Sequence, residues 1–399
     1  MNVSALSRTA LRSLSFLVFI WLVQPVSGQS TKFSFTLGEV YDLPRKTEDL
    51  AFFGNDKDGI VNLSIKRDEL NIIRFDSKTL KKSSEQRIEL EDGGKNFASE
   101  ELIDFRNGNY YWLHSDWDNK SETEFLYYDR VDVAKGQLAE RNKKMVETTK
   151  LAYAPIGGGY SSARKYDFNY DNAHKKLLVS YRYYPEFRSD KKNIDRVGLQ
   201  VFDENMKKIW SGEFTMPYTE AVMDNSRFSI DGNGNAYLLA KVYDSDSRKE
   251  VDKGTGLPAF HYEILKFSQG NKKITIVPLK VGEYFIRETT LTENAQHDMI
   301  VATTYSKNPK GNSVDGVYLA TVNQAGKLVQ FKNGYYEFPI EELKKYETAK
   351  MKRKMDRKDD YEATNIKVRD VAVEPDGGIF LTMEEYLVVQ HTRTNSQGM

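Results

Sequence analysis

The chain has no cysteine. That excludes disulfides, Cys-ligated zinc, a Cys nucleophile and a lipid anchor on an N-terminal Cys. It carries no net charge, with 58 Lys and Arg against 58 Asp and Glu. Such a balance favours neither a nucleic acid nor a membrane surface as partner. Histidine is scarce: His114, His174, His261, His297 and His391 are all there are, and no two share a metal-ligand spacing. The chain also lacks G-x-S-x-G, H-E-x-x-H, P-loop and C-x-x-C signatures. No cofactor and no metal is therefore expected. Gly157, Gly158 and Gly159 form a lone glycine run between strands, which reads as a connection and not as a phosphate cradle.

Long apolar runs are missing too, apart from residues 14–23. That run follows Arg8 and Arg12 and precedes Val26-Ser27-Gly28, the pattern of a secretory signal peptide. It is shorter than the roughly 20 residues a spanning helix needs. The expectation is a signal over 1–28, cleavage near Gly28–Gln29, and a secreted or periplasmic mature protein that is not inserted in a membrane. Without disulfides that protein must hold together by its core, and 399 residues are enough for one.

What is present is a phrase that returns six times: short strand, Asp/Asn/Gly turn, apolar strand. The copies are residues 50–65, 102–114, 166–181, 228–242, 289–304 and 371–383. Repetition on this scale means one supersecondary unit used again and again. The fourth copy displays the whole unit. A strand over 226–230 meets the turn Asp231-Gly232-Asn233-Gly234, and an apolar strand over 236–243 follows. An alternating strand over 260–267 and a return over 273–279 complete it. Four antiparallel strands joined by hairpins make one propeller blade. The loop between second and third strands varies most: 116–121, 184–196 and 244–258. Variable loops on one edge of a repeat fold are where binding is expected.

The fold expected is all-β: a roughly six-bladed β-propeller of four-stranded antiparallel blades over 29–394, with a polar tail over 395–399. One helical insert, 340–360, precedes the last blade and reads as a single, mostly solvated helix. The last copy leaves too few residues for four strands, so residues 32–37 are expected to complete that blade and close the ring; the alternative is a truncated chain that lacks further blades.

Seven residues before each turn residue stands a charge: Asp49, Glu100, Arg164, Asp224, Arg287 and Arg369. First strands line the channel of a propeller, so these six are expected to form a ring there. Mutual ion pairing is one reading. The other is a polar ligand site, since Arg forks suit carboxylates or phosphates and acids suit hydroxyls. Tyr111, Trp117, Tyr183 and Tyr184 lead into the variable loops and are expected on the surface, where rings bind sugar faces or peptides; packing between adjacent blades is the other reading. The Asp56-Lys57-Asp58-Gly59 and Asp231-Gly232-Asn233-Gly234 runs lack the glutamate of an EF-hand and read as turns.

Blade phrases such as 230–243 and 374–386 give the chain its likeness: it resembles secreted bacterial β-propeller proteins of unassigned function. The resemblance carries no catalytic residues. It implies a non-enzymatic binding or scaffold module that recognises a protein or glycan through one propeller face. The alternative is a carbohydrate-active hydrolase or lyase with carboxylates at the channel mouth.

Overall fold

A computed structural model describes residues 37–386, apart from 39, 42–45, 91–95, 153–163, 280, 310, 346, 358–362 and 375. The expected signal, the 157–159 glycine run and the polar tail lie outside the described residues. So does the expected closing strand, except for Leu37, which is exposed and in no strand.

Alternating, β-branched and aromatic segments separated by Asx and Gly turns fold as antiparallel hairpins, and the chain consists of little else. The first sheet is β1 to β4 (Glu48–Asn55, Gly59–Lys66, Glu69–Phe75, Lys82–Glu89), hydrogen-bonded in chain order. The second is β5 to β8 (Ala98–Asp104, Tyr110–Asp118, Thr123–Asp132, Gln137–Thr148). The third is β9 to β12 (Tyr166–Tyr170, Lys176–Arg182, Ile194–Asp203, Lys208–Thr219). The fourth is β13 to β16 (Met223–Ile230, Ala236–Tyr243, Phe260–Phe267, Thr275–Leu279). The fifth is β17, β18, β20 and β21 (Phe285–Glu293, Met299–Ser306, Gly316–Val322, Leu328–Glu337). The sixth, among the described residues, has two strands, β23 and β24 (Ile366–Val373, Ile379–Glu385). A short bridge of β19 and β22 (Ser313–Val314, Ala363–Thr364) ties the fifth sheet's loop to the segment entering the sixth.

Five apolar cores fill the spaces between consecutive sheets. Val61, Trp112 and Val131 belong to the core between the first and second sheets, and Tyr111, Leu113 and Tyr166 to the next. Leu178, Leu199 and Leu238 join the third and fourth, Leu239, Ile264 and Val301 the fourth and fifth, and Ala302, Leu319 and Val371 the fifth and sixth. Adjacent residues such as Leu177 and Leu178 therefore enter different cores, one on each face of the sheet. The second strands of the first five sheets are accordingly buried on both faces over most of their length, and β18 is buried from end to end. First strands touch in series, β9 with β13, β13 with β17 and β17 with β23. Sheets stacked face to face around adjoining first strands define an all-β propeller.

The hairpin turns follow their sequence chemistry. Asp231 Oδ1 accepts the Asn235 amide at 2.8 Å, and Asp171 Oδ1 accepts those of Lys175 and Lys176 at 2.6 Å. His174, Gly234 and His297 occupy the same left-handed position, at φ of 52°, 80° and 65°. The insert differs from the expected single helix. It is two short helices, α1 (Ile340–Lys345) and α2 (Ala349–Met355). Thr348 starts the second, its Oγ1 accepting the Met351 amide at 3.3 Å, a capping bond that marks a new helix start. Among the described residues no helix is long and apolar enough to cross a membrane.

Candidate functional site

The starts of first strands, the ends of second strands and the starts of third strands share one face. Two adjoining cavities open there. One, of about 640 Å³, is lined by Asp49, Glu100, Trp117, Glu124, Arg164 and Lys165 among others. The other, of about 610 Å³, lies between the third and fourth sheets, with Arg182, Asp195, Glu220 and Asp224 on its walls. Arg164 and Lys165 line both.

Four residues of the expected ring therefore reach this pair of cavities. Asp49 accepts the Asn62 side-chain amide at 2.6 Å. Glu100 accepts the Ser115 hydroxyl at 2.5 Å, and burial pushes its carboxyl up. Arg164 pairs with Glu101 at 3.1 Å, and Asp224 pairs with Arg248. Arg287 instead donates to the carbonyls of Ser313, at 3.2 Å, and Asn308. Arg369 donates to Glu384 from Nε at 2.6 Å within the two-stranded sheet.

These six do not share one structural position. Five of the six first strands carry a β-bulge, at Leu50, Glu100, Ser226, Arg287 and Arg369. Glu100, Arg287 and Arg369 are bulged residues themselves, whereas Asp49 precedes the bulge and Asp224 stands two before it. Arg164 lies before β9. A bulge adds a residue and re-aims the side chains beside it, so equal spacing from the turn does not give equal direction. The turns shift as well. Their closing amide-to-carbonyl bond begins at Asp231 and Asn294, but at Phe105 and Glu374, two residues before Asn107 and Asp376.

The aromatic expectation needs correction at two positions. Tyr111 and Tyr183 are buried, at 3% and 7% exposure, in the core between the second and third sheets. β6 is covered on both faces, so alternation leaves no solvent side for Tyr111. Burial pushes its hydroxyl up to about 12. Trp117 is half-buried on the 640 Å³ cavity, and Tyr184 is exposed under the Lys150 ammonium, 4.5 Å from its ring centre.

The second cavity holds a polar cluster that the sequence reading did not single out. Arg182 Nη1 lies 3.2 Å from Asp195 and 3.8 Å from Glu220. The Asn225 amide donates to the other Asp195 oxygen at 2.8 Å, and Asn193 donates to Glu220. Burial, and then the Asp195 carboxylate beside it, push Glu220 up to about 7 against the opposing pull of Arg182 and Asn193. Two carboxyls sharing one site keep a proton between them for this reason. Nothing in spacing announces the cluster: β10, β11, the segment after β12 and β13 each supply a member. The length of the 184–196 loop was the only signal.

At the junction of the cavities, Lys165 Nζ holds both oxygens of the buried Glu124 at 2.9 Å. Burial raises the Glu124 carboxyl and Lys165 opposes that rise. Among the described residues no group of three or more metal-ligating side chains comes together.

No family model and no curated protein matches the chain. Solved structures give distant likenesses in overall fold. The Dos1 propeller is 10% identical, with a TM-score of 0.36 over 73% of this chain and 59% of that one. A polysaccharide lyase, the PL25 ulvan lyase, is 12% identical, with a TM-score of 0.31 over 70% and 63%. The endo-arabinase from Bacteroides thetaiotaomicron is 9% identical, with a TM-score of 0.27 over 72% and 100%. The protein belongs, by its own sheets and cores, to the β-propeller class.

Proposed function

We propose that this chain is an extracytoplasmic β-propeller binding module that recognises a glycan through the face bearing its long loops. The observation that carries the reading is the pair of adjoining polar cavities sharing Arg164 and Lys165. Together they make a trough whose walls alternate acids, cations and half-buried rings. Acids and amides suit sugar hydroxyls, and rings such as Trp117 suit sugar faces. The leader pattern over 1–28 supports action outside the cytoplasm. A glycan array probed with protein purified from expression of the full chain tests the reading. Saturable binding to one glycan class is expected, and an array with no binding overturns it. N-terminal sequencing of exported protein should begin near Gln29.

A second reading, a carbohydrate-active hydrolase or lyase, is favoured by one observation. Glu220, pushed up to about 7 beside the Asp195 carboxyl, is placed as a general acid next to a second carboxyl would be. Release of reducing ends or of unsaturated products from a bound glycan, lost in Glu220→Gln, would move the protein to this class.

A further inference from the structure

We propose that the channel beside β9 and β13 is a subsite for an acidic sugar ring, whose carboxylate or sulfate pairs with Arg227. The proposal rests on the glycan reading above and names the chemical class of the sugar. The cavity between the third and fourth sheets adjoins a third cavity, of about 410 Å³, which runs along β9, β13 and β17 as far as Glu293. The two share Asp167, Ser226, Arg227 and Phe228, so Arg227 stands where they meet. Arg227 is exposed there, and no described residue hydrogen-bonds to its guanidinium or pairs with it. A bulge at Ser226 immediately precedes it in β13, and bulges re-aim the side chains beside them.

The other cations of the two cavities are already held by protein carboxylates. Arg164 pairs with Glu101, Lys165 with Glu124, Arg182 with Asp195 and Arg248 with Asp224. A ligand anion at any of these would strand a protein carboxylate. At Arg227 it strands nothing, and the guanidinium fork suits a planar oxyanion edge. The acids nearby limit how much charge the ligand can carry. Glu293 is engaged by the Gly232 and Asn172 amides. Asp167 accepts the Asn169 side-chain amide at 2.9 Å, and Asp190 has no side-chain partner among the described residues. Those two carboxylates repel a densely charged ligand but accept hydrogen bonds from sugar hydroxyls. The set matches a ring with one anionic group and several hydroxyls, a uronate or a singly sulfated sugar. Phe228, half-buried on both cavities, supplies apolar wall for the face of the ring. At about 610 and 410 Å³ both cavities fall in the usual range for small-molecule sites.

Isothermal titration of the full chain with tetragalacturonate, a sulfated carrageenan tetrasaccharide, neutral cellotetraose and any acidic glycan found on the array tests the proposal. At least one acidic probe should bind, more tightly than cellotetraose, and its affinity should fall as salt is added. Which of the acidic probes binds tells a carboxylate from a sulfate. Arg227→Gln should weaken that binding about ten- to hundredfold, because a hydrogen bond between charged groups is lost. Its melting temperature should match wild type, since Arg227 has no protein partner to lose. Should Arg227→Gln fail to fold, Arg227→Lys decides in its place; it keeps the charge but loses the fork, and a severalfold loss is expected. Acidic binding that the substitution leaves unchanged overturns the subsite, as does binding of neutral glycans alone, and either result leaves the glycan reading standing. Absence of binding to every probe here and to every glycan on the array overturns both.

Discussion

The Glu293 carboxylate in the fifth sheet accepts the Gly232 amide in the fourth at 2.6 Å. Its second oxygen accepts the Asn172 amide, in the third sheet's turn, at 3.0 Å. One buried side chain thus ties three consecutive sheets, at the opposite end of the first strands from the two cavities. Gly232 has no room for a side chain, because a Cβ there would come within 2.7 Å of His297 Nδ1. Glu293→Ala leaves two backbone donors without their charged acceptor and should cost about 3 kcal/mol. Guanidinium unfolding, with the midpoint lowered and the slope unchanged, is the check. A loss below about 1 kcal/mol would mean that water replaces the carboxylate at no great cost.

Gly198 lies in β11 in regular strand conformation, so its role is space and not backbone freedom. A Cβ at that position would press into the Tyr181 ring, 2.7 Å from the hydroxyl. Tyr181 is buried and its hydroxyl accepts the Gln200 amide at 3.1 Å, so it cannot swing aside freely. Gly198→Ala should destabilise by about 1–3 kcal/mol, the usual cost of overpacking. Because Tyr181 lines the second cavity, glycan binding should weaken in the same variant. Gly270→Ala puts its methyl in open space but at φ 72°, so it should cost only backbone strain and spare binding.

The blade unit was legible because period-two alternation and Asx turns are local. The strand over Phe260–Phe267 falls where its pattern places it, and Asp231 closes its turn with its own side chain. What could not be read is whatever depends on two sheets at once. Tyr111 belongs to a strand covered on both faces, a fact set by the neighbouring sheet. Bulges at Glu100 and Arg287 change side-chain direction without any residue type to mark them. Asp195 and Glu220 meet only because β11 and the end of β12 are adjacent in the folded sheet, so no sequence spacing encodes their pairing.

Glu220 makes stability depend on pH in a defined direction. Its folded value, about 7, lies above the ordinary carboxyl value of 4.5. The folded protein therefore binds this proton more tightly than the unfolded chain does, and stability falls as pH rises from the lower value through the higher. Below both values the contribution is fully present. Glu220→Gln holds the site neutral at every pH and should flatten this part of the profile. Melting temperatures recorded across that window, wild type against variant, are the measurement. A wild-type profile that rises over the same range, with no difference in the variant, would contradict the assignment.

Lys165 and Glu124 join the third sheet's entry to the second sheet's third strand at the junction of the two cavities. Both side chains are largely out of water, at 11% and 2% exposure, and both carboxylate oxygens are engaged at 2.9 Å. A buried pair of this kind contributes little beyond what an apolar pair would, yet breaking it strands one charge. Lys165→Met leaves Glu124 buried without its cation, so the carboxyl must either stay charged unpaired or take up a proton, and the change should cost about 3–5 kcal/mol. Glu124→Gln leaves the ammonium facing a neutral amide and should fall in the same range. With both changes neither member of the pair leaves an unpaired charge, and the double variant should recover much of the loss. A double-mutant cycle by chemical denaturation reads this as a coupling of about 2 kcal/mol or more. Additive losses would show that each group finds water on its own, and that the junction is wetter than its exposure indicates. Because Lys165 lines both cavities and Glu124 the first, the recovered double variant is the one in which to measure glycan affinity. A fall in affinity there, with stability regained, would locate part of the binding energy in the charges of the junction.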